Sequence, residues 1–346
     1  MDSRRLGVNS VRMIHFWDAL PKPFFALSPM EDVTDAAFRR LIARYGKPDV
    51  MFTEFTSADG LVLAPPDAQK HLRKKLIYDE SERPIVAQLF SASPARMEKA
   101  AQLIEELGFD GLDINMGCPV EDVVKSGCGA ALINDPWLAQ ELIRAARRGA
   151  RSAGRRIPIS VKTRIGYREN QLDAWLPSLL SENLAAIAIH ARTRNEMSSV
   201  PAHWDAVAQA VSIRNKLGSK TLIIGNGDVE DIPHARSLAQ QSGADGVMLG
   251  RAIYGNPWLF LDLRNPNLDF VNPKVRTPQE KIQALLEHLA LFDELLSETT
   301  SYAVMKKHFK AYISGWDRSK ELRVRLMETK DCPEAQEILE SAILSA

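Results

Sequence analysis

A cysteine follows a short apolar run in the segment DINMGCPV, residues 113–120. Glycine and proline flank Cys118 and cannot continue a strand ladder, so we expect the thiol at the start of a loop. Such a thiol can be a small hydrophobic group, a metal ligand, half of a disulfide, a nucleophile or a proton donor. Cys118, Cys128 and Cys332 form no CxxC pair, which favours a reducing compartment and offers no zinc motif.

Polar side chains stand at the ends of eight short β-rich runs. In chain order these are residues 28–31, Glu54, Gln88, Asn115 with Cys118, Lys162 with Arg164, His190 with Arg192, residues 226–228, and Gly250 with Arg251. Any one of them could be an ordinary solvated strand end. Eight at the same relative position favour a shared site.

Two glycine motifs, IIGNGDV and MLGRA, follow the last two runs. In a barrel, glycine amides after the seventh and eighth strands often bind phosphate, and Arg251 can add a bidentate contact. Each motif alone is common in α/β proteins. Together they predict a phosphorylated cofactor.

Gln88 and Lys162 end the third and fifth runs and would project toward the same site. An amide beside a fixed cation suits a heteroaromatic ring that gains negative charge on reduction, as flavin does. A Schiff-base lysine, as in barrel aldolases, is the alternative for Lys162. Cys118 and the lack of a neighbouring second lysine or carboxylate pair favour the flavin.

The elements that must position these residues alternate along the chain. The β-rich runs are FFALSPM, DVMFTE, IVAQLF, GLDINMG, ISVKTR, AAIAIHAR, TLIIGNG and GVMLGRA. Amphipathic helical patterns separate most of them, at residues 34–46, 94–108, 136–150, 204–218 and 232–244. This alternation predicts an α/β fold, a (β/α)8 TIM barrel over residues 23–265. A doubly wound sheet is disfavoured because no GxGxxG follows the first strand.

Helical patterns without strands follow the barrel, and we expect a small all-helical domain over residues 275–346 after an N-terminal extension at residues 1–22. Lysines and arginines are frequent between Met305 and Arg325, interleaved with aromatic residues. This stretch is either a nucleic-acid face or a solvated helix whose aromatic stripe packs inward.

The composition indicates a soluble globular protein. Of 346 residues 45% are hydrophobic, and 44 lysines and arginines balance 44 aspartates and glutamates, so a polyanion would have to meet a local basic patch. The N-terminus has no apolar h-region, and no run approaches the roughly 20 apolar residues of a membrane helix. We expect a cytoplasmic monomer without a membrane partner.

Several motifs resemble those of the tRNA-dihydrouridine synthases, FMN-dependent flavoenzymes with a (β/α)8 barrel and a C-terminal helical domain. They are LSPMEDVTDAAFR, TEF, QLF, DINMGCPVEDVVKSGCGAALINDP, VKTRIG, IHARTR, GNGDV and MLGRAIYGNPW, in the family's order. The resemblance implies reduction of the C5–C6 double bond of uridine in tRNA, with NADPH or NADH as reductant of the flavin.

The resemblance also implies roles for individual residues. Cys118 falls on the catalytic acid, which gives a proton to C5 while hydride passes from reduced FMN to C6. A thiol with a pKa near 8.5 is mostly protonated at neutral pH, which suits an acid. The FMN-binding positions are Pro29, Met30, Glu31, Gln88, Asn115, Lys162, His190, Asn226, Gly227, Asp228, Gly250 and Arg251.

Contacts to tRNA are expected at Arg164, Arg192, Lys306, Lys307, His308 and Lys310. The sequence departs from the family pattern at Ala191, where glycine is usual, and at residues 198–201. Two rival functions remain: an FMN barrel dehydrogenase of the dihydropyrimidine or dihydroorotate type, acting on a free pyrimidine, and a tRNA-binding protein without turnover.

Overall fold

Eight parallel strands form the centre of the chain in a computed structural model that describes residues 15–151, 154–261, 263 and 276–344. They are β1 (Phe24–Leu27), β2 (Met51–Ser57), β3 (Ile85–Phe90), β4 (Gly111–Met116), β5 (Ile159–Gly166), β6 (Ala186–Thr193), β7 (Leu222–Asn226) and β8 (Gly246–Leu249). All eight predicted strands are present, and strands that are consecutive in sequence pair from β2 to β8, with β8 returning to β1. The predicted (β/α)8 barrel with C-terminal helices is confirmed.

The junction between β1 and β2 closes the barrel with few hydrogen bonds. A single bridge pairs Ala26 with Val50. The amide of Leu27 donates to the Val50 carbonyl at 3.0 Å, and the amide of Asp49 donates to the Phe25 carbonyl at 2.9 Å. Because the other neighbouring strands share longer ladders, this junction is the seam of the barrel.

Helices cover the outside of the barrel. They are α1 (Ala36–Tyr45), α2 (Ala58–Leu63), α3 (Pro66–Lys74), α4 (Pro94–Glu106), α5 (Glu121–Lys125), α6 (Pro136–Gly149), α7 (Leu172–Leu180), α8 (Trp204–Lys216) and α9 (Ile232–Ser242). The five predicted barrel helices correspond to α1, α4, α6, α8 and α9. The short helices α2, α3 and α5 were not predicted, and neither was α7, which contains Pro177.

Strand residues alternate between the two faces of the barrel wall. On β4, Leu112 and Ile114 pack with the helices, whereas Asp113 and Asn115 lie on the inner face. The lower interior is apolar, built from Trp17, Phe24, Ala26, Val50, Phe52, Val86, Ala186, Ala188, Ile224 and Met248. Polar residues are therefore concentrated in the upper interior, toward the carboxyl ends of the strands.

The C-terminal helices are α10 (Pro278–Leu296), α11 (Ala303–Tyr312), α12 (Ser319–Glu328) and α13 (Cys332–Leu344). Helix α10 packs on α1 of the barrel. There the ring of Phe38 stacks on His288, with 4.9 Å between centroids, and lies 5.0 Å from the ring of His308. Phe309 and Tyr312 are fully buried, so the aromatic stripe packs inward.

The C-terminal end of the predicted barrel domain and most of the predicted N-terminal extension lie outside the described residues. Residues 1–14 and 264–275 are not described, so the limits at 265 and 275 stay predictions. Within the predicted extension, a 3-10 helix spans Phe16–Ala19 and Trp17 packs into the barrel interior. Among the helices of the described ranges, none is long and apolar enough to cross a membrane.

Candidate functional site

A cavity of about 310 Å³ lies at the mouth of the barrel, where the carboxyl ends of the strands converge. Its wall includes Cys118's neighbour Pro119 and the predicted cofactor residues Pro29, Met30, Lys162, His190, Asn226, Gly227, Asp228, Gly250 and Arg251. Strands distant in sequence thus bring most of the predicted set together. Gln88 and Asn115 are buried and are not part of the lining, and Glu31 is not part of it either, although its neighbour Met30 is.

Lys162 provides a cation in the wall of the cavity. Its Nζ donates to Oδ1 of Asn226 at 3.2 Å, and Asn226 in turn donates to the carbonyl of Met248 at 2.8 Å. Burial lowers the pKa of Lys162 to about 8, and the nearby charge of Arg164 acts in the same direction. The lysine is therefore mostly protonated at neutral pH and fixed in direction.

His190 is a neutral hydrogen-bonding group in the same wall. Burial, together with the charge of Lys162 and other cations, lowers the pKa of His190 to about 2. Nη1 of Arg192 lies 3.2 Å from Nε2 of His190. Because a guanidinium can only donate, Nε2 accepts and the ring proton is assigned to Nδ1.

Asp228 holds two guanidinium groups at the predicted anion site. Its two carboxylate oxygens accept from Arg192 and Arg251, and its pKa is lowered mainly by the hydrogen bond from Arg192. Gly227 precedes it with a φ of +130°, and a Cβ there would lie 2.8 Å from Cβ of Ala202. Only glycine fits this position without displacing Ala202, so the turn stays close to the cavity.

The loop that carries Cys118 is hydrogen-bonded on both sides. The amides of Gly117 and Cys118 donate to Oδ1 of Asn115 at 3.1 and 2.9 Å, and the Cys118 carbonyl accepts from Ala130 at 3.0 Å. Gly129 permits this contact, because a Cβ there would lie 2.7 Å from the Cys118 oxygen. Burial raises the pKa of the Cys118 thiol, which is therefore protonated at neutral pH.

Gln88 and Asn115 belong to a buried polar chain. Gln88 donates through Nε2 to Oδ2 of Asp113 at 2.7 Å and accepts from Nδ2 of Asn115 at 3.1 Å. Sequence reasoning did not select Asp113. The available signal was its spacing, since a residue two positions before Asn115 on a strand shares its face.

Arg164 and Arg192 line the cavity, but their described hydrogen bonds stay within the protein. Arg164 is 5% exposed and donates to the carbonyls of Gly117, Thr193 and Met197. Arg192 is 2% exposed and donates to the carbonyl of Val200 as well as to Asp228. The structure thus gives both a role in holding loops, and their contact with tRNA stays a prediction.

The sequence departs from the family pattern at Ala191 and at residues 198–201, and the structure shows what each of them contacts. Ala191 is fully buried and packs with the outer hydrophobic core. In residues 198–201, Ser198 lines the cavity and the Val200 carbonyl accepts from Nε of Arg192 at 2.6 Å. This segment therefore helps to hold the guanidinium group of Arg192 at the predicted anion site.

An acidic group lies on the outer side of the mouth, toward the C-terminal helices. Glu31 pairs with Lys75, and Asp32 pairs with Lys307 of α11 at 2.6 Å. Glu54 accepts from the amide of Asp32 at 2.7 Å, and burial raises the pKa of Glu54 to about 7. Lys75 and Lys307 thus balance the charges of Glu31 and Asp32. Lys307 also links the C-terminal helices to the loop between β1 and α1.

The cations predicted on α11 have different environments. Lys306 donates to the carbonyl of Met327 at 2.8 Å, Lys307 bonds to Asp32, and Lys310 is exposed. The prediction that His308 contacts RNA is wrong, because its side chain is fully buried between Phe38 and His288.

Comparison with known proteins gives one family. The model for dihydrouridine synthase (Dus) matches residues 26–346. The chain is 40% identical over 328 residues to a probable tRNA-dihydrouridine synthase 2 of Bacillus subtilis (strain 168), covering 94% of this chain and 96% of that protein. It is 37% identical over 328 residues to a probable tRNA-dihydrouridine synthase of Staphylococcus aureus (strain COL), covering 94% and 95%.

A solved structure supports the fold. Histamine dehydrogenase from Rhizobium sp. 4-9 matches with a TM-score of 0.52 at 13% identity, covering 77% of this chain and 48% of that chain. At this identity the likeness concerns the barrel architecture alone.

Proposed function

Because the chain belongs to the dihydrouridine synthase family, a family of oxidoreductases, we propose that it reduces uridines in tRNA to 5,6-dihydrouridine with the help of a flavin. The family membership confirms the resemblance noted in the sequence. The observation that carries the proposal is the placement of a protonated, anchored thiol, Cys118, beside a cavity with a fixed cation and an arginine-bearing turn.

The residues of the cavity fit FMN. The turn at Gly227 leaves space that a Cβ would fill, and Arg251, whose side chain is 62% exposed, can reach a phosphate there. Lys162 would stabilise the negative charge of a reduced ring, and His190 would be a neutral hydrogen-bonding partner in the same wall. Bound FMN would supply the hydride, and NADPH or NADH would restore it.

Cys118 would complete the reduction by proton transfer. When hydride adds to C6 of the uracil, the electron pair of the C5–C6 bond moves to C5, which takes the proton from Sγ of Cys118. The resulting thiolate regains its proton from solvent. Burial favours the neutral thiol before the step, and Arg164 and Lys162 lie close enough for their charges to favour the thiolate after it.

The C-terminal helices would help to bind the tRNA. Lys306, Lys307 and Lys310 place three cations on one side of α11, and Lys307 lies next to the mouth of the barrel through its bond to Asp32. Cations at this position can neutralise phosphates of a substrate whose target base enters the cavity. We accordingly assign catalysis to the barrel at residues 23–265 and RNA binding to residues 275–346.

The test is the dihydrouridine content of an unmodified tRNA transcript after incubation with the purified chain, FMN and NADPH, with free uridine in parallel. We expect product in the tRNA alone. In the Cys118→Ala variant we expect bound flavin and its reduction by NADPH to remain, while uridine reduction falls by about 100-fold or more.

Cys332→Ala is the matched control, because Cys332 is buried in the C-terminal helices, and it should keep the parent rate. Equal turnover by parent and Cys118→Ala would remove the acid role. Product from free uridine but not from tRNA would instead favour a small-molecule dehydrogenase.

A further inference from the structure

Asp113 is a carboxyl group in the interior of the barrel. It is 1% exposed and lies on the inner face of β4, above an apolar layer that contains Phe52, Val86 and Ala188. Burial raises the pKa of Asp113 to about 6, against hydrogen bonds that favour its charged form. A buried carboxyl group is costly and is tolerated where specific hydrogen bonds use it.

The hydrogen bonds of Asp113 lead to the Cys118 loop. Its Oδ1 accepts from the Ser160 hydroxyl at 2.6 Å, and its Oδ2 accepts from Gln88. Gln88 accepts from Asn115, and Asn115 accepts from the amide of Cys118. Side chains from β3, β4 and β5 thus form one continuous chain of donors and acceptors.

The groups at the two ends of this hydrogen-bonded chain both require that every donor points toward Asp113. A carboxylate can only accept, and the backbone amide of Cys118 can only donate. Each carboxamide between them therefore has one orientation that satisfies both neighbours, with Nε2 of Gln88 toward Asp113 and Oδ1 of Asn115 toward Cys118. Side-chain amides can rotate by half a turn with little change in shape, so an end group has to fix the choice.

We propose that Asp113 is a positioning residue, which orients Gln88 and Asn115 and through them holds the backbone of Cys118 in place. Its importance for turnover rests on the function proposed above, whereas its effect on the loop does not. Without an acceptor at position 113, the Gln88 amide can rotate and present its amino group to that of Asn115. If Asn115 follows, its amino group faces the amides of Gly117 and Cys118, and the loop loses both bonds.

The rate of alkylation of Cys118 by iodoacetamide measures this directly, followed peptide by peptide in the full-length chain with FMN added. In Asp113→Leu we expect Cys118 to react at least about fivefold faster, since loss of one of the two loop hydrogen bonds corresponds to a change of about that size and loss of both to a larger one. In Asp113→Asn we expect the parent rate, because Oδ1 can face Gln88 while Nδ2 donates to Ser160. Ser160→Ala is the matched control and should also keep the parent rate, since Gln88 retains its acceptor.

Cys332 serves as an internal reference in the C-terminal helices. A local effect raises the reactivity of Cys118 alone, whereas a parallel rise at Cys332 would show general loosening and overturn the proposal. Gln88→Met interrupts the same hydrogen-bonded chain at its middle, so it should raise the alkylation rate of Cys118 as much as Asp113→Leu does. It therefore tests the proposal even if Asp113→Leu does not fold. Parent-like alkylation in whichever of these variants folds would refute the role.

The alkylation assay contains neither tRNA nor nicotinamide, so its outcome is independent of the proposed reaction. In turnover assays we expect Asp113→Leu to lower kcat and leave the KM for tRNA unchanged, with Asp113→Asn restoring kcat. If alkylation of Cys118 is faster in the variants but the parent reduces no uridine, the positioning role is supported and the proposed function is rejected. If alkylation is unchanged and the parent reduces uridine in tRNA, the proposed function is supported and the positioning role is rejected.

Discussion

Replacing His308 by phenylalanine should make the chain more tolerant of acid. His308 is fully buried against Phe38 and His288, with the ring of Tyr254 at 6.4 Å and the charge of Lys307 nearby. Neither ring nitrogen has a hydrogen-bond partner among the described residues. Burial, assisted by Lys307, lowers the pKa of His308 from 6.5 to about 4 in the folded chain.

The size and sign of the effect follow from the difference in proton binding. Well above pH 6.5 the imidazole is neutral in both the folded and the unfolded state, so it makes no pH-dependent contribution to the free energy of unfolding. As the pH falls, the unfolded chain takes up a proton that the folded chain resists until about pH 4. Integrated from pH 7.5 to pH 5, this difference lowers the free energy of unfolding of the parent by about 2 kcal/mol.

His308→Phe keeps a ring against Phe38 and removes this titration. Its stability relative to the parent should therefore rise by about 2 kcal/mol between pH 7.5 and pH 5, or roughly 3–4 °C in Tm. Thermal unfolding of both chains in matched buffers at the two pH values measures this difference. Phe38→Leu is the control, since it disturbs the same cluster without removing a titrating group and should cost similar stability at both pH values.

A variant whose stability relative to the parent is independent of pH would refute the reasoning, because it would mean that His308 titrates alike in both states. If the stability of His308→Phe relative to the parent instead increased as the pH was raised, the predicted direction of the effect would be wrong. The expected result would also show that the interface between α1 and the C-terminal helices stays closed in the native chain at neutral pH.

Three further predictions concern charges elsewhere. As the pH rises from 5 to 8, the free energy of unfolding of Glu54→Gln should increase by about 2 to 3 kcal/mol relative to that of the parent, measured by urea unfolding. The reason is that the folded pKa of Glu54 is about 7, so the parent must ionise a buried carboxyl group over this range. A difference in stability that does not change with pH would contradict this. Glu82→Gln should cost roughly 3–5 kcal/mol, since it leaves the fully buried Arg39 unpaired, and a loss below about 1 kcal/mol would contradict the argument. Lys310→Ala should weaken tRNA binding and reduce its salt slope by about one, whereas Lys216→Ala at the end of α8 should change neither.

The sequence allowed the strands and most of the mouth of the barrel to be predicted, because strand periodicity and the glycine and proline turns are local signals. Lys162, His190 and Asn226 were expected to meet on this ground, and their side chains do line one cavity. Helix α7 was missed because Pro177 falls inside it and obscures the helical pattern.

Features that depend on pairing between distant segments could not be read from local patterns. The role of Asp113 requires Gln88 and Ser160 from the two neighbouring strands, and strand register is a property of the folded sheet. The burial of His308 did have a signal, since it stands four residues from both Val304 and Tyr312 on one helical face. Lys306, Lys307 and Lys310 favour an RNA-facing helix instead, and they lie on the other side of α11.

The seam between β1 and β2 changes how the C-terminal helices can be handled in protein engineering. The helix that follows β1 is α1, and its outer face is covered by α10 through Phe38 and His288. Removing residues 276–344 would therefore expose an apolar helix face directly beside the least hydrogen-bonded junction of the barrel. A transplant of these helices into another barrel would have to carry the outer face of α1 with them, so the exchangeable module is larger than the C-terminal segment itself.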